Sequence, residues 1–385
     1  MGDPQWSSLA TVFPVSLGVG LIFGFQPPLM ALVLERSGAS SFEIGALSGI
    51  STIAVIVFGP FYPRVIARLG LRRAVLAGLG MAVAILAVMP MLQSVRGWLA
   101  LRFLTGCALG LTWIASEIWL NTVSTDQSRG RVMGLYATVF ATGVMAGPLL
   151  LQLTGTAGSR PFFIGAGCLA LTALPLLISP HTPAAERGAQ RSLRLARILR
   201  AAPVVMLAAL IAGLVESADV SLLPVFGLQR GLDERSSLLL VTVFLAGNVF
   251  LQLPIGGLAD RCGRRIVLVN CALVSMIGPL LLSPLMHTAW LMWPLLFVWG
   301  GTMYGFYTQG IALLGESYAA GELADANTVF VVVYCAGGLV GPTVGGLVMD
   351  HWSPAGLPVF LSSAALLLII GLLTEARVRM QAGRR

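Results

Sequence analysis

Glu216 and Asp219 lie three positions apart within a long apolar run, and they are the residues of this sequence best placed to do chemistry. At helical spacing they share a face. Counted from Pro203 at about 1.5 Å per residue, Glu216 falls roughly 20 Å along the run, out of reach of either interface by snorkelling. An acid at the centre of a membrane costs about 2.5–3.5 kcal/mol on insertion scales, so the pair is expected to face a watery cavity rather than lipid. Such carboxyls can take up and release a proton, bind a cation, or tie helices together, and the residues alone leave these three readings open. A further charge, Arg102, stands four residues inside Trp98, where it either faces the cavity or snorkels to the interface. Neutral groups suited to lining a substrate path are Gln26, Trp113, Asn248, Gln252, Tyr304 and Tyr307. The five cysteines form no CxxC pair, and the three histidines fall in predicted loops. No metal site, cofactor or catalytic nucleophile is therefore expected, and the chain does not read as an enzyme.

The elements that must hold these residues follow from composition. Hydrophobic residues make up 57% of the 385 positions and charged residues only 10%. Mean hydropathy is +0.88. That leaves too little polar surface for a soluble globule, and apolar stretches of about 20 residues read as membrane helices rather than barrel strands. Twelve spans can be counted between residues 9 and 374, predicting an all-α membrane protein. The net charge of +8 comes from arginines that lie between spans rather than along one polar face, which argues against nucleic-acid binding. With both termini on the cytoplasmic side, 18 arginines fall inside and five outside, as the positive-inside rule requires.

The chain also repeats itself. Gly143, Gly147 and Pro148 recur 194 residues later as Gly337, Gly341 and Pro342, and residues 20–38 align with 213–231. Glycine at every fourth position offers a face for close helix packing, and proline interrupts the helix beside it. The expected organisation is two pseudo-symmetric six-helix bundles, 1–180 and 203–385, joined by an Arg-rich cytoplasmic linker at 181–202. Parallel halves of this kind point to a transporter. In span 1 the counterparts of Glu216 and Asp219 are Phe23 and Gln26, so the repeat itself did not require the acids.

Between spans 8 and 9 the chain reads Gly257-Leu-Ala-Asp260-Arg261-Cys-Gly263-Arg264-Arg265, which resembles the signature loop of the major facilitator superfamily. The run from Trp98 through Arg102 to Gly106, and the Gly134–Pro148 stretch, resemble motifs of its drug/proton antiporter branch, although Leu151 stands where a final glycine is usual. The run Ser116-Glu117-Ile-Trp119-Leu-Asn121 is similar to the YcaD-type bacterial members. The resemblance implies a bacterial inner-membrane transporter. In it Arg102 modulates the acids, and Asp260 latches an inner gate against Arg131, with Glu117 steadying Arg68 or Arg72. The first copy of the loop departs from the pattern, with Arg64 for the first glycine and Ala67 for the aspartate.

The expected function is proton-coupled export of a small cationic or neutral amphipathic compound by a monomer, its halves rocking about Gly143/Gly147 and Gly337/Gly341. A proton-coupled uptake symporter and a transport-inactive sensor or assembly factor are the alternatives.

Overall fold

The computed structural model describes residues 4–92, 94–125, 128–178, 195–286, 288–318, 320–352 and 355–382. In chain order the helices are α1 (Pro4–Arg36), α2 (Ser41–Phe58), α3 (Tyr62–Leu69), α4 (Leu71–Val88), α5 (Val95–Val123), α6 (Arg129–Thr154), α7 (Arg160–Leu171) and α8 (Leu174–Ile178). There follow α9 (Leu195–Ala201), α10 (Pro203–Gln229), α11 (Glu234–Cys262), α12 (Arg264–Leu285), α13 (Ala289–Ser317), α14 (Ala320–His351) and α15 (Gly356–Ala382). Expected span 2 is broken into α2 and α3 at Gly59-Pro60, where proline supplies no backbone donor. Eleven described segments are long and apolar enough to cross a membrane. The remaining expected span is α13, whose 29 residues suffice in length but whose Trp, Tyr and Gly content dilutes its hydropathy. Of the expected linker, residues 181–194 lie outside the described residues, and its end forms α9, whose Ile198 carbonyl accepts the Tyr318 hydroxyl at 2.9 Å.

The chain forms two compact units, Met1–Ser37 with Ile50–Gln190, and Gly38–Gly49 with Arg191–Arg385. In the first, α1 packs on α6, and α4 on α5 and α7. In the second, α10 packs on α14, and α12 on α13 and α15. The partners correspond span by span, which is the internal repeat expressed as packing.

The glycines explain the closest pairs. A Cβ on Gly24 would overlap the Val144 carbonyl oxygen, and one on Gly143 or Gly147 would overlap the backbone of α1. Pro148 has no N–H to offer that Val144 carbonyl, leaving it to the Cα of Gly24. In the second unit Gly213 abuts the Tyr334 carbonyl, Gly337 that of Leu210, and Gly341 that of Leu214. These glycines therefore seat α1 on α6 and α10 on α14 inside each unit.

The first turns of α2 are seated on α14. The carboxylate of Asp350 accepts the Ser41 N–H at 2.8 Å and the Phe42 N–H at 2.9 Å. These are two of the four donors that a helix start leaves unsatisfied. Below them Gly45 lies against the Pro342 carbonyl, and Gly346 of α14 against that of Ser41.

The signature-loop arginines brace the second unit from within. Arg264 reaches Glu316 at 3.0 Å and the Ala312 carbonyl at 2.9 Å. Arg265 grips Glu375 in a fork, at 2.6 and 3.2 Å. A double-mutant cycle on Arg265→Ala and Glu375→Ala, read by denaturant titration in detergent, is expected to give a coupling of about 0.5–1 kcal/mol for this half-exposed pair. Zero coupling would mean two independently solvated charges.

Candidate functional site

Glu216 is the midpoint of α10, with 13 residues of helix on either side of it. Its Oε2 accepts the hydroxyl of Tyr334 from α14. The buried Tyr304 hydroxyl approaches the same carboxyl from α13 without completing a hydrogen bond. Tyr307 stands edge-on to Tyr334, with ring centroids 5.1 Å apart and planes at 71°. Glu216 is half-buried, whereas Asp219, one turn further on, is 0% exposed. Neither oxygen of Asp219 has a hydrogen-bond partner among the described residues. One acid is thus partly accessible and held by a phenol, and the other is enclosed and unpartnered. Leaving a buried polar group unsatisfied costs about 1–3 kcal/mol, so Asp219 is maintained at the expense of stability.

The other candidates fall into place differently. Arg102 is 6% exposed and does not snorkel. It donates from Nη1 to Gln26 Oε1, and Gln26 Nε2 donates to the Met89 sulfur at 3.2 Å. Trp98 fixes the same Met89 through its carbonyl, at 3.1 Å. Gln26, expected on the substrate path, is instead 0% exposed, because its amide is consumed in tying Arg102 of α5 to α1 and Met89. Gln252 donates to the Gly301 carbonyl at 3.2 Å and so joins α11 to α13 where glycines let them approach. Asn248 is half-buried on the same helix.

Glu117 departs from its expected role beside Arg68 or Arg72. Arg72 donates to the Leu177 carbonyl at 2.8 Å, and Glu117 accepts the Trp113 indole N–H at 2.8 Å, four residues back on α5. Asp260 is exposed and 4.0 Å from Arg264, one turn along the chain. Arg131 and Arg261 are exposed near helix ends. Sequence reasoning missed Tyr334, Phe23 and Phe140. The repeat offered a signal for the first, since Tyr334 stands 194 residues after Phe140 and adds a hydroxyl to it. No cluster of His, Cys, Asp and Glu fit to hold a metal occurs among the described residues.

Comparison with known proteins places this arrangement. A family model described as the Major Facilitator Superfamily matches residues 11–241 and 233–381. The chain is 26% identical over 372 residues to the uncharacterized MFS-type transporter YfkF of Bacillus subtilis, covering 91% of this chain and 92% of that protein. It is 27% identical over 354 residues to the uncharacterized MFS-type transporter YcaD of Escherichia fergusonii, covering 91% of each. Among solved structures, a mutant of the nucleoside transporter NupG aligns over 97% of this chain and 99% of its own, at 15% identity and a TM-score of 0.81. A bacterial homologue of the human lysosomal transporter Spinster aligns over 100% and 98%, at 13% identity and a TM-score of 0.74.

Proposed function

The chain belongs to the Major Facilitator Superfamily, and from that premise we propose that it couples inward proton movement to export of a small cationic or neutral amphipathic compound by alternating access. The observation that carries this reading is the acid pair at the centre of α10, one carboxyl held by Tyr334 and the other enclosed without a partner. A membrane protein retains intramembrane acids at a cost, and proton relays are a common reason. In the proposed cycle a proton from outside neutralises Glu216 or Asp219 and lowers the site's hold on a cation. Release of that proton to the cytoplasm restores the negative charge and the next cation is taken. Arg102 is a single buried cation, bonded to the neutral amide of Gln26, against the two acids of α10, and this excess of acid disfavours anionic substrates. The antiporter-like Gly134–Pro148 stretch supports export. The same reading keeps both termini cytoplasmic in a bacterial inner membrane, with Asp260 latching against Arg131, and a monomer as the working unit.

The test uses purified protein in liposomes enclosing a pH-sensitive dye, challenged with cationic, neutral and anionic compounds. Compound-dependent proton movement is expected in the wild type and absent in the Glu216→Gln, Asp219→Asn double variant. Its sign separates export by antiport from uptake by symport. Substrate flux without proton movement, persisting in the double variant, would overturn the coupling.

A further inference from the structure

The first unit carries a cluster that the proton cycle does not use. Phe23 of α1, Trp113 of α5 and Phe140 of α6 meet as a corner of rings. Trp113 and Phe140 are nearly parallel, at 5.8 Å and 17°. Phe23 closes the corner edge-on, 6.2 Å from Trp113 at 77° and 5.8 Å from Phe140 at 61°. All three rings are only half-buried, although each lies well inside its helix. Glu117 stands one turn along from Trp113, also half-buried, with Oε1 accepting the indole N–H. Its Oε2 receives no hydrogen bond from the described residues. A carboxylate within a span is costly against lipid, so this face belongs to a water-accessible path and the rings beside it are not lipid-facing packing.

The internal repeat sharpens the point. Phe23, Trp113 and Phe140 stand 193, 194 and 194 residues before Glu216, Tyr307 and Tyr334. The same three helical positions therefore build a carboxyl–phenol cluster in the second unit and a hydrocarbon corner in the first. The first unit's acid is added separately at Glu117, where the second unit has Ile311. Parallel rings 5.8 Å apart leave no slot for a third ring between them, so a ligand must lie against the open side of the corner. Aromatic faces attract a cation there, and the free carboxylate oxygen supplies the countercharge.

We propose that Glu117, with Trp113, Phe140 and Phe23, is the recognition site for a cationic group borne on a flat aromatic ring, separate in role from the acids of α10. This rests on the transport reading and names the substrate class within it. The test is equilibrium binding to the full chain in nanodiscs, with ethidium as a flat aromatic monocation and N-phenyl-1-naphthylamine as a neutral aromatic control. Glu117→Gln is expected to weaken ethidium binding at least 10-fold and to change that of the neutral probe by less than twofold. Phe140→Leu is expected to weaken both about 5-fold, and serves as the second variant should Glu117→Gln fail to fold. Unchanged ethidium affinity in Glu117→Gln, or no ethidium binding by the wild type, would overturn the assignment. Ethidium binding that depends on Glu117, in a wild type that moves no protons, would sink the proton-coupling reading and leave this one standing.

Discussion

Asp219→Ala is expected to yield a protein that is harder to unfold and unable to couple proton movement to transport. Asp219 has no exposed surface, and neither of its oxygens has a partner among the described residues. Removing an unsatisfied buried polar group returns about 1–3 kcal/mol. The void left by a carboxyl group takes back only a fraction of that, at about 24 cal/mol per Å³. Melting in detergent should therefore shift upward, while proton-coupled flux in liposomes falls at least 100-fold. Glu216→Gln is expected to lose flux to the same degree without the gain in stability, since Tyr334 already satisfies that side chain. A destabilised Asp219→Ala protein would show that its carboxyl is a structural tie, and full coupled flux would remove it from the proton path.

The second large effect concerns the α10–α14 seam. Gly341→Leu is expected to prevent accumulation of folded protein, whereas Gly257→Leu at the far end of α11 is expected to be tolerated. A side chain at Gly341 meets the Leu214 backbone, which cannot swing aside as a side-chain tip would, while a Cβ at Gly257 meets nothing within 4 Å. Overpacking against side chains costs about 1–3 kcal/mol, and against backbone it forces the helices apart along the whole seam. Size-exclusion profiles of the two variants after expression provide the comparison. A monodisperse peak for Gly341→Leu, of wild-type size and yield, would show that α10 and α14 can part there without loss of fold. Because the same seam carries Glu216, two residues past Leu214, and Tyr334, two turns before Gly341, the same separation would also break the hydrogen bond that positions the acid.

What could be read from the sequence, and what could not, divides along physical lines. A helix in lipid must be apolar over its full length, so the spans, the repeat and the acids interrupting α10 are visible as composition. The glycine spacing was legible as close packing, but which helices it joins was not. Gly143 and Gly337 meet α1 and α10, more than 120 residues away in the chain. Side-chain partners were hidden for the same reason. Tyr334 reads as one more apolar residue until α14 brings it to Glu216, 118 positions earlier. Gln26 reads as a path-lining polar group until Arg102 is found to occupy it. Phe23 and Phe140 look like core, because an aromatic residue in an apolar run carries no mark of being half-open. Glu117 was conspicuous, yet its role was assigned through distant arginines when its partner was the indole four residues back.

The carboxylate of Asp350 recognises α2 through backbone N–H groups alone, at Ser41 and Phe42. Any residue with an amide proton serves equally well at those two positions, so drift there is not penalised by this contact. Proline is the exception, since it would withdraw a donor. Among descendants of this sequence the acid at 350 can thus remain fixed while this contact places no demand on the side chains of its partners, and no correlated substitution would betray the pairing. A contact made to the main chain leaves its record on only one side.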